Sequence, residues 1–196
     1  GITPVQSGED FYLLQKFRKM APVGLYNEVP VFPSARLSDR VPFGTGPAVA
    51  KGRHGDWENY PLYHHTHFES IAETYQLLPQ LYREDVQTDF IVFLQKHFKE
   101  MHLWDNIRQN VADFVHFERA FHQKADGLRI LQYLRQKHRE DPFRDEVALF
   151  DNLTLWIPER LPEKYRPKRP FNDYSVGELD KMRDLLFELE NEWHKN

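Results

Sequence analysis

Between Ala21 and Tyr63 the chain carries Pro22, Pro30, Pro33, Pro42, Pro47 and Pro61, interleaved with Gly24, Gly44, Gly46, Gly52 and Gly55. Proline removes an amide donor and glycine leaves the backbone unconstrained, so neither a helical nor a strand period is expected to survive here. Roughly forty residues without a period far exceed the connection of about 4–6 residues usual inside a compact domain. Residues 21–63 are therefore read as an extended arm. Before it, Ser7 can cap a helix within residues 1–20, with Phe11, Leu14 and Phe17 along one face.

The arm is not a solvated spacer, because Leu25, Tyr26, Val31, Phe32, Phe43, Trp57 and Tyr60 lie between its prolines. Large apolar groups need cover, either from the chain's own core or from another polypeptide. Tyr26, Phe32, Phe43, Trp57 and Tyr60 are accordingly the arm residues expected to meet a partner.

From residue 64 onward, apolar residues recur at helical spacing. Thr66 and Glu69 fit a capping box, followed by Phe68, Ile71, Tyr75 and Leu78 before Pro79. A helix over 84–103 carries Val86, Phe90, Phe93, Leu94, His97 and Met101 on one stripe. Asp105 opens the next, with Ile107, Val111, Phe114, Val115 and Phe121 facing inward and Gly127 as its stop. A further helix runs from 127 to 139, and Asp141-Pro142 restarts another that ends before Pro158. Residues 157–174 form a second proline-rich connector. Ser175 and Glu178 then repeat the capping-box pattern ahead of Leu179, Met182, Leu186, Leu189 and Trp193, an amphipathic helix over 175–195 whose seam fits its own core or a partner helix. The expected fold is mainly α: an irregular bundle of about six to seven helices with a long Pro/Gly/aromatic N-terminal arm and a second Pro-rich connector, the helical domain running over 64–196.

Composition narrows the function. Cysteine is absent, which excludes disulfides, thiolate zinc sites, iron–sulfur ligation and a thiolate nucleophile. The 26 basic and 30 acidic residues give a net charge of -4, against the basic excess of a nucleic-acid-binding domain. Apolar runs such as 90–94 fall far short of the roughly 20 residues that cross a bilayer. The chain starts at Gly1 without an initiator Met, as a processed precursor does, and a mitochondrial location is expected over a cytoplasmic one.

Ten histidines invite a metal hypothesis. Paired ligands on one helix face need spacings of three or four. His97 and His102 are five apart and His116 and His122 six apart, so neither pair qualifies, while Asp113 with His116 and Glu118 with His122 have suitable spacing but do not make a site. His97 reads as a hydrogen-bonded core histidine. His64, His65 and His67, at a loop-to-helix junction, are the best metal candidates, although a loop and helix start explain them with fewer assumptions. Residues 42–55 with Lys51 suggest a phosphate loop only superficially, because Gly-Lys-Ser/Thr is missing.

The stretch 163–169 sets Lys164, Arg166, Lys168 and Arg169 on a proline-stiffened segment suited to an acidic partner, to lipid headgroups or simply to solvent. Taken together, the residues point to a non-catalytic accessory subunit or adaptor of a larger multiprotein assembly, in the style of the subunits that decorate mitochondrial membrane complexes. Its expected partners are other protein subunits, with no cofactor. The alternative is a helical metal-binding protein or metalloenzyme using histidines and carboxylates.

Overall fold

The computed structural model describes residues 9–24, 37, 45–55, 61–160 and 169–193. Among them the chain is helical without strands, as its periodicity predicts. The helices are α1 (Glu9–Met20), α2 (Thr45–Gly52), α3 (Thr66–Gln76), α4 (Leu78–Leu81), α5 (Asp89–Phe98), α6 (Leu103–Gln109), α7 (Phe114–Lys124), α8 (Gly127–Glu140), α9 (Asp145–Trp156) and α10 (Val176–Trp193). This exceeds the expected six to seven. The additional ones are α2 inside the predicted arm, the single turn α4, and the division of 105–126 into α6 and α7. Pro47 does not break α2 because it sits in the first turn, where the amide has no intrahelical partner to lose.

Two compact units are formed: one of 63–143 with residues 18–20, the other of 1–17, 21–62 and 144–196. The boundary at Phe143–Arg144 falls inside the stretch expected to be one helical domain.

The 63–143 unit has a continuous core. Phe90, Ile91, Leu94, Leu81, Trp104, Phe117 and Phe121 are almost wholly buried. Tyr75 meets the Phe121 ring edge-on at 5.5 Å, Trp104 lies 5.3 Å from Phe121, and Phe90 meets Tyr133 edge-on at 5.1 Å. Such ring pairs add about 0.5–1.5 kcal/mol each beyond the burial of their area. Around α5, Thr88 Oγ1 accepts the Ile91 amide at 3.2 Å and also contacts Thr74 Oγ1, whose hydroxyl donates to the Ser70 carbonyl at 2.7 Å. The helix stops at Lys99, in the left-handed region at φ 55°, a conformation that costs a non-glycine residue roughly 1–2 kcal/mol. Gln95 Nε2 holds this turn by donating to the Met101 carbonyl at 2.9 Å. Arg108 on α6 donates to the Leu81 carbonyl at 2.7 Å and to Asp85 and Asp105, pinning the segment before α5.

Several local readings change. Thr66 does not cap α3: it is the first helical residue, and the imidazole of His64 takes the helix-start amide instead. The helix expected over 84–103 is shorter, and Met101 is 69% exposed. Asp113 and Asp126, not Asp105 and Asp141, supply the carboxylate caps, to the amides of His116 (2.9 Å) and Arg129 (3.1 Å). Gly127 therefore opens α8 instead of stopping the helix before it. On α7 the inward residues are Phe117 and Phe121, whereas Val115 is exposed.

The other unit is thin. Of its described apolar side chains, Ala148, Phe150, Leu153 and Met182 are buried, with Leu149, Ile157, Phe171, Tyr174 and Leu186 packed partly against the last three. Its best-formed local feature is the start of α10: Ser175 N donates to Glu178 Oε2 at 2.8 Å and Glu178 N donates to Ser175 Oγ at 3.3 Å. This is the capping box predicted from sequence. Those bonds also hold the Glu178 carboxyl below its ordinary range.

Replacing Phe117 with Ala should destabilise the 63–143 unit by about 3–5 kcal/mol, the usual cost of a deleted core ring, whereas Val115→Ala should stay within about 0.5 kcal/mol. Urea unfolding followed by far-UV circular dichroism checks both.

Candidate functional site

The histidine junction tests the metal reading directly. His64 Nδ1 accepts the Thr66 amide at 3.3 Å and lies 2.8 Å from the Thr66 hydroxyl. Its ring stacks on Phe143, with centroids 3.9 Å apart and planes 5° from parallel. His67 Nε2 lies 3.0 Å from the Asp141 carbonyl. A carbonyl only accepts, so Nε2 carries the proton, and the buried Nδ1 is left without a hydrogen-bond partner. His65 Nδ1 stands 3.8 Å from Glu69 Oε1. The three imidazoles thus face different partners: α3's first turn, the Asp141 backbone and a surface carboxylate. Among the described residues no group of three or more His, Asp or Glu side chains is arranged to hold a metal ion.

The other described histidines do not alter this. His116 is exposed and pairs with Asp113 at 2.7 Å. His97 is exposed as well, correcting the core reading, and lies beside the Phe93 and Phe98 rings at 6.0 and 5.1 Å. It edges a hollow of about 440 Å³ between α5 and α8. There Lys137 Nζ is held by Asp89 Oδ2 at 2.7 Å, which raises its pKa, and burial raises that of Tyr133. Of the two lysines that line the hollow, Lys96 and Lys137, the second is already paired with Asp89 and Glu140.

An apolar groove of about 650 Å³ in the other unit is a different kind of feature. Leu149 of α9, Phe171 of the short 3-10 turn Phe171–Asp173, and Leu179, Met182, Leu186 and Phe187 of α10 line it. Spacings of three, four, seven and eight put the α10 residues on one side of that helix. Asp145, Asn172, Arg183 and Glu190 supply the polar lining. Arg183 is already engaged: Nη1 donates to Asp180 Oδ1 and Nη2 to Asp184 Oδ1, both at 2.8 Å. Asp145 Oδ1 accepts the Leu62 amide at 2.8 Å. Further apolar surface is exposed on α1 at Tyr12, Leu14, Phe17 and Met20, and at Leu155, Trp156 and Trp193.

Of the residues the sequence singled out for partner contact, Tyr26, Phe32, Phe43, Trp57, Tyr60, Lys164, Arg166 and Lys168 lie outside the described residues. Arg169 is exposed, bonds Glu178, and sets its guanidinium 4.1 Å above the Tyr174 ring. It anchors the connector to the start of α10. Sequence reasoning missed the groove because its α9 and 3-10 walls come from segments whose packing is set by tertiary contact, although the α10 stripe that forms its longest wall was visible.

Burial holds the His67 pKa below its ordinary 6.5, opposed by the bond to the Asp141 carbonyl and by the Asp141 charge, and reinforced by His138 and His64. In this situation the folded state binds fewer protons than the unfolded one. Stability is therefore complete above pH 6.5 and declines as pH falls from there toward the folded pKa. Urea midpoints at pH 7.5 and 5.5 should differ more for the native chain than for His67→Gln, which keeps a polar group but does not titrate. No family model, curated protein or solved structure matches this chain.

Proposed function

We propose that this chain is a non-catalytic accessory subunit or adaptor of a larger multiprotein assembly, of the kind found in mitochondrial membrane complexes, and that it binds its neighbours through the arm and through the apolar surfaces around it. What supports this reading most directly is apolar surface left uncovered. Met20 is 84% exposed, Trp193 75% and Phe17 52%, and among the described residues of 144–193 the buried apolar side chains are Ala148, Phe150, Leu153 and Met182. Full burial of one large apolar side chain is worth about 1.5–3 kcal/mol, so a neighbouring polypeptide that covers several of them gains the driving force of a standard interface. The aromatic residues threaded between prolines in 21–63 belong to the same argument.

The membrane component of that assembly is a partner here, since no helix among the described residues is long and apolar enough to cross a bilayer. The histidine alternative has no converging ligand set among those residues to support it.

Native mass spectrometry of the protein isolated gently from its source is expected to find it in fixed stoichiometry with other chains, and a free monomer would overturn the reading. Deleting residues 25–36, which removes Tyr26 and Phe32, should cut co-purification of those chains at least about fivefold, on the order of 1 kcal/mol of binding, while helical circular dichroism is retained.

A further inference from the structure

Resting on the adaptor reading, we infer that the α9–α10 groove receives an amphipathic helix from another polypeptide, carrying an apolar stripe flanked by Lys and Arg. The shape comes first. The lining residues on α10 run from Leu179 to Glu190, about three helical turns or some 16 Å at 1.5 Å per residue. The remaining lining comes from Asp145 and Leu149 of α9 and from Phe171 and Asn172 of the 3-10 turn, so the longest wall of the groove is α10. A helix laid in such a trough presents anchors at spacings of three, four and seven, matching Leu179, Met182, Leu186 and Phe187.

Charge then selects the occupant. Asp145 and Glu190 line the trough. Asp180 and Asp184 precede Phe187 by seven and three positions, which puts both beside it on the outer rim. The cation among them, Arg183, is bridged by those two aspartates. Lys181, two positions from Leu179, points to the far side of α10 by helical geometry. Over 144–196 twelve residues are acidic and nine basic, and at the trough the carboxylates of Asp145, Asp180, Asp184 and Glu190 stand against Arg183. A second copy of this chain would bring the same acidic rim against itself, and an anionic lipid surface or a nucleic acid would be repelled. A cationic amphipathic helix satisfies the apolar floor and the rim together.

The test uses the full chain in its source cells with p-benzoylphenylalanine in place of Phe187, and at Met101 in the other unit as the control. After irradiation and gentle isolation, crosslinked peptides are sequenced by mass spectrometry. The expected product from position 187 is one segment of a different protein with apolar residues at helical spacing and a net positive charge, absent from the position 101 control. Introducing Asp180→Lys with Asp184→Lys should lower that crosslink about tenfold by reversing the rim charge, with circular dichroism unchanged. A crosslink to a second copy, to lipid or to an acidic segment overturns the inference, as does an undiminished yield in the charge-reversed chain. If partners co-purify but position 187 gives no crosslink, the groove assignment falls and the adaptor reading stands; if nothing co-purifies, both fall.

Discussion

The 63–143 unit depends on aromatic rings packed where water cannot reach them. Phe90, Trp104, Phe117 and Phe121 come from three different helices, and each is at most 1% exposed. Removing water from rings of this size is the dominant favourable contribution to folding. It is also what tolerates local strain: the left-handed Lys99 and the partnerless indole nitrogen of Trp104 persist because the surrounding packing fixes them. The polar groups that accompany the core are mostly satisfied at close range, as with Ser70, Thr74 and Thr88 around the start of α5.

The 144–193 portion follows another balance. Helix α9 buries Glu146, Phe150 and Leu153 on one side and Ala148 and Asn152 on another, so it has no single apolar stripe. Helix α10 has a clear stripe but only Met182 fully covered. Ion pairs do much of the local holding: Arg160 with Glu192, Arg169 with Glu178, Arg183 with its two aspartates. Pairs this exposed contribute little each, so this region takes its order from a few apolar contacts and from its helix caps.

How much of this could be read from the residues follows from which signals are local. The Ser175 and Glu178 box was legible because both partners lie within one turn, and Phe90 and Leu94 were legible from the period of α5, while His97 and Met101 of the same expected row are exposed and Ile91 was missed. The Thr66 box failed because His64, two residues earlier, competes for the same amide. Gly127 was read both as the stop of one helix and as the start of the next; the start holds, fixed by the Asp126 bond to the Arg129 amide. Phe117 was passed over in favour of Val115 because α6 and α7 were joined into one helix, which shifts the face by the residues of the intervening turn. The histidines show the same limit: their proximity in sequence was evident, while the carbonyl of Asp141, 74 positions away, determines what His67 can do.

The stack of His64 on Phe143 joins the first and last turns of a continuous segment, and Tyr63 meets His138 edge-on at 6.0 Å. A folded segment whose entry and exit sit side by side can be spliced into a host loop without stretching the host, since the loop closes across the same short gap with or without its guest. By this criterion residues 63–143 have the geometry of an inserted cassette, and the imidazole–phenyl stack is its buckle.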